Sequence, residues 1–427
     1  MSYTAATVQA RQMIVVPKGK LRIWIGVFGC VAYIIAYLDR VNVSVLIADP
    51  IFTKTLGIAA NKSTQGLLMS VFLFTYGVSC FLGGPAIQRF GVKRTLFIGL
   101  LSWALLTGFM GAVSSIAFLL FCRALLGLGE SVLSPGISKL VQTWFPVHER
   151  AKANGAWYVG LQLGYVLSTP LVAWWVAAVG WRGSYYILAL LGIVPIIMCV
   201  SFVYDHPSKH PRITSEEVNY IASQENVPVA KAKASGLDWG FLKSATFWYV
   251  TIVYSLTNAE IWGFLSWIPS YFKVTLGFSW AAMGLLAMLP YACATLAVMV
   301  FMPLMDRYNR RALFVFLSSV IFALFTAFAV GASSRMAAVA VLSLAYAAGG
   351  PRTPALFTMV QNITTKEQVG TATGVFVGVA YVIASLTPYA IGVLYNMTGS
   401  LKSGFYFLAA LAFLACLVCI PLVRKRL

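Results

Sequence analysis

Charge is scarce in this sequence. Only 10% of its 427 residues are Asp, Glu, Lys or Arg, and acids are the scarcest, 12 against 31 Lys and Arg. A soluble domain carries about 25% charged residues and needs a polar shell around its core. With 60% hydrophobic residues and a mean hydropathy of +0.83, the chain cannot make that shell, which excludes a soluble enzyme and a disordered chain. Histidine is also nearly missing. His148, His206 and His210 all fall in polar loops, so no His-based metal site is expected. The seven cysteines lie inside apolar stretches, and the CxxC pair Cys416 and Cys419 reads as packed thiols rather than a zinc or redox site. No GxxxxGK[ST] phosphate loop occurs. The net charge of +19 is broken into short clusters between apolar runs, which is not a nucleic-acid stripe.

What is present is apolar sequence in lengths of about 20 residues, the length of a bilayer-spanning helix. Hydropathy and breakers predict an all-α integral membrane protein with twelve spans near 22–46, 66–86, 95–114, 117–144, 152–178, 184–204, 247–272, 280–304, 311–331, 335–361, 370–396 and 403–423. If both termini are cytoplasmic, the 31 Lys and Arg divide into 21 on the cytoplasmic side, 6 on the opposite side and 4 within spans. That is the bias expected of a multi-pass cell-membrane protein with this orientation. A polar segment, 205–246, divides the chain into a tail (1–21), a first six-helix bundle (22–204), a linker and a second bundle with a short basic tail (247–427). Within the linker, Thr214-Ser215-Glu216-Glu217 has the pattern of a helix capping box.

The two halves repeat. Gln88-Arg89-Phe90-Gly91-Val92-Lys93-Arg94 follows span two, and Asp306-Arg307-Tyr308-Asn309-Arg310-Arg311 follows span eight. Gly160 and Pro170 of span five recur as Gly378 and Pro388 of span eleven. All three landmarks are offset by the same 218 residues. A constant offset argues for duplicated bundles, an architecture used by secondary transporters. Gly160-x-x-x-Gly164 and Gly374-x-x-x-Gly378 read as close-packing surfaces.

Gly84-Pro85-Ala86-Ile87-Gln88-Arg89-Phe90-Gly91-Val92-Lys93-Arg94 resembles the signature loop of the major facilitator superfamily. Tyr37-Leu38-Asp39-Arg40-Val41-Asn42, Arg123 with Glu130, Trp144-Phe145-Pro146 with Glu149-Arg150-Ala151, Gly180-Trp181-Arg182, Ile213-Thr214-Ser215-Glu216-Glu217 and Trp267-Ile268-Pro269 resemble its anion:cation symporter family. The resemblance covers nearly the whole chain. It implies the major facilitator fold of two pseudo-symmetric six-helix bundles, with Tyr37, Arg40, Tyr76 and Gln162 at substrate positions and Asp39 and Glu130 as proton-coupling acids. It also implies a conformational latch in Arg89, Lys93 and Arg94 and in Asp306, Arg307 and Arg310. Two departures stand out: Gln88 replaces the loop's usual Asp, and span eleven has no polar residue near Val377.

Six ionisable groups fall deep inside predicted spans: Asp39, Arg40, Arg123, Glu130, Glu260 and Arg352. Each costs about 2.5–3.5 kcal/mol at a helix centre on the insertion scale. One reading is mutual pairing, Arg123 with Glu130 or Asp39 with a neighbouring Arg. The other is a wet central site in which an arginine grips an anion with its fork of donors and a carboxylate exchanges a proton with solvent. Tyr33, Tyr37, Arg40 and Ser44 are spaced 4, 3 and 4 residues apart and share one stripe of span one. The 218 offset carries Arg40 and Asn42 to Asn258 and Glu260, which places these near the same cavity. Glu260 and Arg352 form either a locking pair or a second substrate clamp.

The resulting expectation is a monomeric secondary transporter that is not an enzyme and has no cofactor beyond the coupling proton. It moves a small organic anion, such as a sugar acid or other carboxylate, by proton symport. Arg40 holds the anion, with Arg123, Arg352 and Asn258 as further contacts. Glu260 joins Asp39 and Glu130 as a proton-coupling acid. The alternative is an antiporter or exporter of an organic anion or zwitterion.

Overall fold

The computed structural model describes residues 20–222, 239–308, 310–365 and 368–426. Arg11, Lys18, Lys231, Lys233 and Lys366, counted above for orientation, lie outside the described residues. So do most of the 1–21 tail, the middle of the 205–246 linker, and Asn309 of the second basic motif.

The helices follow the predicted spans closely. Spans one, two and three are Leu21–Leu46, Lys62–Phe90 and Val92–Ala112. Span four is two pieces, Ile116–Glu130 and Leu133–Trp144. Spans five and six run through 150–202 and part at Gly180. Span seven is Ala245–Ser270, span eight Trp280–Leu286 with Leu289–Tyr308, and span nine Arg311–Gly331. Span ten is Arg335–Gly349 with Arg352–Ile363, span eleven Val369–Ala384 with Leu386–Thr398, and span twelve Lys402–Arg424. A short helix that hydropathy did not predict, Pro50–Thr55, follows span one and is capped by Asp49.

By length and composition alone, nine helices among the described residues can cross a membrane. Counting 150–202 as two passes, and spans seven and ten as one each, makes twelve. Gly180 has φ 73° and ψ 173°, a conformation that only glycine adopts without strain, so the chain turns back there. On the near side of the turn, a Cβ at Gly26 would touch Ala156 and one at Gly160 would meet Cys30, so span five runs alongside span one. On the far side, Arg182 bonds the carbonyls of Gly111 and Val113 at the end of span three, and Asp205 reaches Lys93 at its start. Span six therefore runs antiparallel to span three.

Each of the four broken spans has a proline two or three residues into its second piece: Pro135, Pro290, Pro354 and Pro388. The first-turn N–H groups of a helix have no internal partner, so proline costs little there.

The two halves touch tightly on the face opposite the linker. Lys62 N donates to Asn396 Oδ1 at 3.0 Å, Tyr389 N to Ser70 Oγ at 3.2 Å, and Trp280 Nε1 to Ala173 O at 2.7 Å. Glycines permit this approach: a Cβ at Gly66 would lie 2.2 Å from the Pro388 carbonyl oxygen, and one at Gly392 would lie 2.3 Å from that of Lys62. Gly66→Leu is therefore expected to prevent this face from closing. Overpacking of about 1–3 kcal/mol moves the open-to-closed ratio about 5- to 150-fold. Thiol labelling of Ser70→Cys in a background without other cysteines would report it; unchanged labelling would count against the closure described here.

On the linker face, the helix Ser215–Ala222 docks onto the start of span one. Thr214 Oγ1 accepts from Glu217 N, as the capping pattern predicts. The Glu217 carboxylate accepts from Leu21 N and Arg22 N at 3.2 and 3.1 Å, caps span one, and also bonds the Arg22 guanidinium. Arg22 Nε reaches Glu149 at 2.8 Å, and this contact holds the Glu149 carboxyl below the usual carboxylate range. A depressed folded value contributes stability that is complete above the unfolded pKa of about 4.3 and is lost as pH falls through the folded value. The docked helix should thus stay protected from hydrogen exchange at neutral pH and loosen only in strong acid. Loosening already near pH 6 would refute this attribution.

Candidate functional site

Span one places Tyr33, Tyr37 and Arg40 on one stripe, and all three line a cavity of about 580 Å³ between the halves. Tyr76 of span two and Gln162 of span five join them from the first half; Asn258 of span seven and Arg352 of span ten face them from the second. The cavity extends toward the linker face, where exposed Asn154 and Gln361 flank it. Its other end is closed by the Lys62–Asn396, Ser70–Tyr389 and Trp280–Ala173 contacts. The site is therefore reachable from one side only.

Arg40 is the central cation of the first half. Its Nε donates to Glu130 Oε2 at 2.6 Å, and both side chains are almost fully buried. Three rings surround its guanidinium, Tyr37 and Tyr76 at 4.8 Å and Phe72 at 5.5 Å. Glu130 lies behind Arg40 rather than in the cavity wall, and its second oxygen, Oε1, is buried without a partner. The pairing of Arg123 with Glu130, one of the two sequence-based possibilities, does not form. The two residues are seven apart on one helix, about 10 Å along its axis, too far to meet.

Asp39 and Arg123 are not in the cavity wall. Asp39 turns to the interior of the first half, where Trp103 Nε1 and Thr107 Oγ1 donate to its Oδ2 at 3.1 and 3.4 Å; its Oδ1 has no partner. Adjacent residues on a helix point about 100° apart, so Asp39 and Arg40 cannot face the same way. Arg123 donates from Nε to Leu68 O at 3.2 Å and stacks over Phe72 at 4.7 Å. Ser44, the fourth residue of the predicted stripe, bonds Val41 O and also stays out of the cavity.

The second half carries its own ion pair. Arg352 Nη1 donates to Glu260 Oε2 at 2.8 Å and to Ser319 Oγ at 3.2 Å, and both charged residues are fully buried. Of the two, Arg352 lines the cavity and Glu260 lies behind it. Each half thus joins its first and fourth spans through an Arg–Glu pair, with the polarity exchanged between halves. Gln162 Nε2 donates to Thr295 Oγ1 at 3.0 Å across the interface. Gly378 packs closely, since a Cβ there would clash with Phe81; Gly374 has nothing within 4 Å, so only half of that glycine pair is a contact surface.

Aromatic residues missed in the sequence complete the wall. Tyr254, Trp262, Tyr291, Tyr346 and Tyr381 line the second-half side. The repeat held a signal for one of them: the 218 offset carries Tyr37 to 255, one residue from Tyr254. Tyr381, one turn beyond Val377, supplies the hydroxyl that span eleven lacked at the expected place, and its ring lies 4.7 Å from that of Tyr76.

Of the predicted latch, Arg89, Arg94, Arg307 and Arg310 are exposed, and Asp306 lies near the end of its helix. Lys93 is held within the first half, with its Nζ 3.1 Å from Val200 O and its backbone N bonded to Asp205 Oδ1 at 3.1 Å. None of these five basic residues forms an ion pair among the described residues. No group of three or more His, Cys, Asp or Glu able to hold a metal ion is found among the described residues.

The Major Facilitator Superfamily family model matches residues 29–299 and 276–426. The chain belongs to this superfamily. It is accordingly a multi-pass membrane protein and a secondary transporter, not an enzyme. Among superfamily relatives, it is 30% identical over 392 residues to the probable sulfoacetate transporter SauU of Cupriavidus necator, covering 90% of this chain and 89% of that one. It is 28% identical over 427 residues to the hexuronate transporter of Bacillus subtilis, covering 95% of each. A solved bacterial homolog of the human lysosomal transporter Spinster, in an inward-facing and occupied conformation, shares the fold with a TM-score of 0.75. That match has 15% identity and covers 96% of this chain and 98% of that one.

Proposed function

We propose that this protein couples proton entry to uptake of a small organic anion, such as a sugar acid or other carboxylate. The observation that carries the reading is Arg40, set in the cavity wall with its Nε held from behind by Glu130. An anion entering the cavity competes with Glu130 for the guanidinium. The six ionisable groups set deep in the spans, three acids and three arginines, balance when all are ionised, so an added anion then leaves an uncompensated charge in the interior. Such a charge is costly. Protonating Glu130, whose Oε1 has no partner, removes that charge. Anion and proton thereby favour each other's binding, which is the reciprocity symport requires. Asp39, with its own unpartnered oxygen, and Glu260 are the further proton-coupling acids of this reading. The names of the sulfoacetate and hexuronate transporters support an organic anion as cargo.

In this reading the linker face is cytoplasmic, with both termini, and the structure is open to the cytoplasm; the 21-to-6 bias of Lys and Arg supports that orientation. Bundles 22–204 and 247–427 rock about the site, joined by the 205–246 linker. Arg89, Lys93 and Arg94, with Asp306, Arg307 and Arg310, latch the cytoplasmic side when the opposite face opens. One chain contains the whole cavity, so a monomer is the working unit.

The test is counterflow and net uptake of labelled sugar acids and short carboxylates by proteoliposomes with an imposed pH gradient. Accumulation that follows the proton gradient and collapses with a protonophore is the expected result. Uptake indifferent to the gradient would reject symport, and accumulation against the direction of proton flow would favour the exchange or export alternative.

A further inference from the structure

Arg352 has donors that the first half's chemistry does not use. Its Nη2 is buried and unpartnered, although Nη1 is held by Glu260 and Ser319 and Nε by Gly349 O. Gly349, beside it in the cavity wall, leaves the space that this nitrogen occupies: a Cβ there would lie 2.7 Å from Nη2. Asn258 Nδ2 and Tyr291 Oη, in the same wall, are also buried without partners. Unsatisfied buried donors cost about 1–3 kcal/mol each, and these three belong to residues of one cavity wall. Two of them can only donate, so the ligand group they fit is an acceptor. Beside a guanidinium, an anionic oxygen meets that need best.

Arg40 approaches the same cavity from the opposite half. We propose that the transported solute carries two anionic groups, one held by Arg40 and the other by Arg352 with Asn258 and Tyr291. This rests on the organic-anion reading above and narrows it to dianions. Each guanidinium is held from behind by a glutamate, Glu130 or Glu260. A solute with two anionic ends bridges the halves that must move together during transport, whereas a monoanion engages one half and leaves the other guanidinium on its glutamate.

The experiment is binding to the purified full chain of malonate, succinate and glutarate against their monoamides, by calorimetry and thermal shift. The monoamide keeps length and hydrogen-bonding shape and loses one charge. At least one dianion is expected to bind about 10- to 100-fold more tightly than its monoamide, the worth of one charge-assisted contact. In Glu260→Gln/Arg352→Gln, which exchanges the ion pair for an amide pair, the ratio should fall to near one. Gly349→Ala, whose new methyl crowds Nη2, should lower the same ratio and serves if the double variant does not fold. Equal affinity for dianion and monoamide in the wild type would overturn the two-anion assignment and leave the organic-anion reading standing. An undiminished ratio in the variants would do the same. If no member of the panel or of the sugar acids binds at all, both fall.

Discussion

Glu130→Gln is expected to abolish gradient-driven accumulation while leaving exchange of bound solute intact. Glutamine keeps the size of the side chain and an oxygen that can accept from Arg40 Nε, now 2.6 Å from Glu130 Oε2. It cannot gain or lose a proton. The cavity can still bind and release solute, but its occupancy is no longer linked to a protonation. One pH unit supplies about 1.36 kcal/mol per proton, a factor of about ten. Across a two-unit gradient, one-proton coupling in the wild type therefore allows about 100-fold accumulation, and the variant should stop at a ratio near one. Parallel measurement of exchange separates lost coupling from lost folding. Wild-type accumulation by this variant would remove Glu130 from the coupling role.

Arg40→Lys should raise the KM for the anion by about 10- to 100-fold, the loss of one charge-assisted hydrogen bond at about 1.5–3 kcal/mol. Lysine keeps the charge and loses the planar fork that lets one nitrogen hold Glu130 while the others face the cavity. It also weakens the cage of Tyr37, Phe72 and Tyr76, whose ring centres lie 4.8–5.5 Å from the guanidinium. Arg40→Ala is the poorer experiment, because it leaves Glu130 buried without a counter-ion, at a cost of about 3–5 kcal/mol in stability. Thermal unfolding without solute would show whether Arg40→Lys folds normally, and counterflow at graded concentrations would give KM. A wild-type KM for Arg40→Lys would mean that the anion is held elsewhere.

Much of the fold was legible because membrane insertion is judged over local windows. A run of about 20 apolar residues must be helical to satisfy its backbone, so each span could be placed without knowing its neighbours. Even the breaks had a local cause in Pro135, Pro290, Pro354 and Pro388. Of the candidate site, the cavity-lining charges Arg40 and Arg352 were legible, since a charged residue in lipid is conspicuous. The pairing of the charges was not legible. Arg123 and Glu130 stand in one segment and invite association, yet the helix rise separates them and Arg40 takes the glutamate. The aromatic wall of the second half was hidden for a different reason: tyrosine and tryptophan are ordinary in spanning helices, and only their convergence on one space distinguishes Tyr254, Tyr291 and Tyr381.

Composition alone determined that this chain lives in a bilayer, and hydropathy with the 218-residue repeat determined twelve spans in two related halves, because both follow from short-range physics along the chain. Which charges reach the cavity was decided in three dimensions. Rotation about a helix axis sends Arg40 into the cavity and its neighbour Asp39 away from it, and the contact of one half with the other brings Arg40 and Arg352, 312 positions apart in sequence, to opposite sides of the same space.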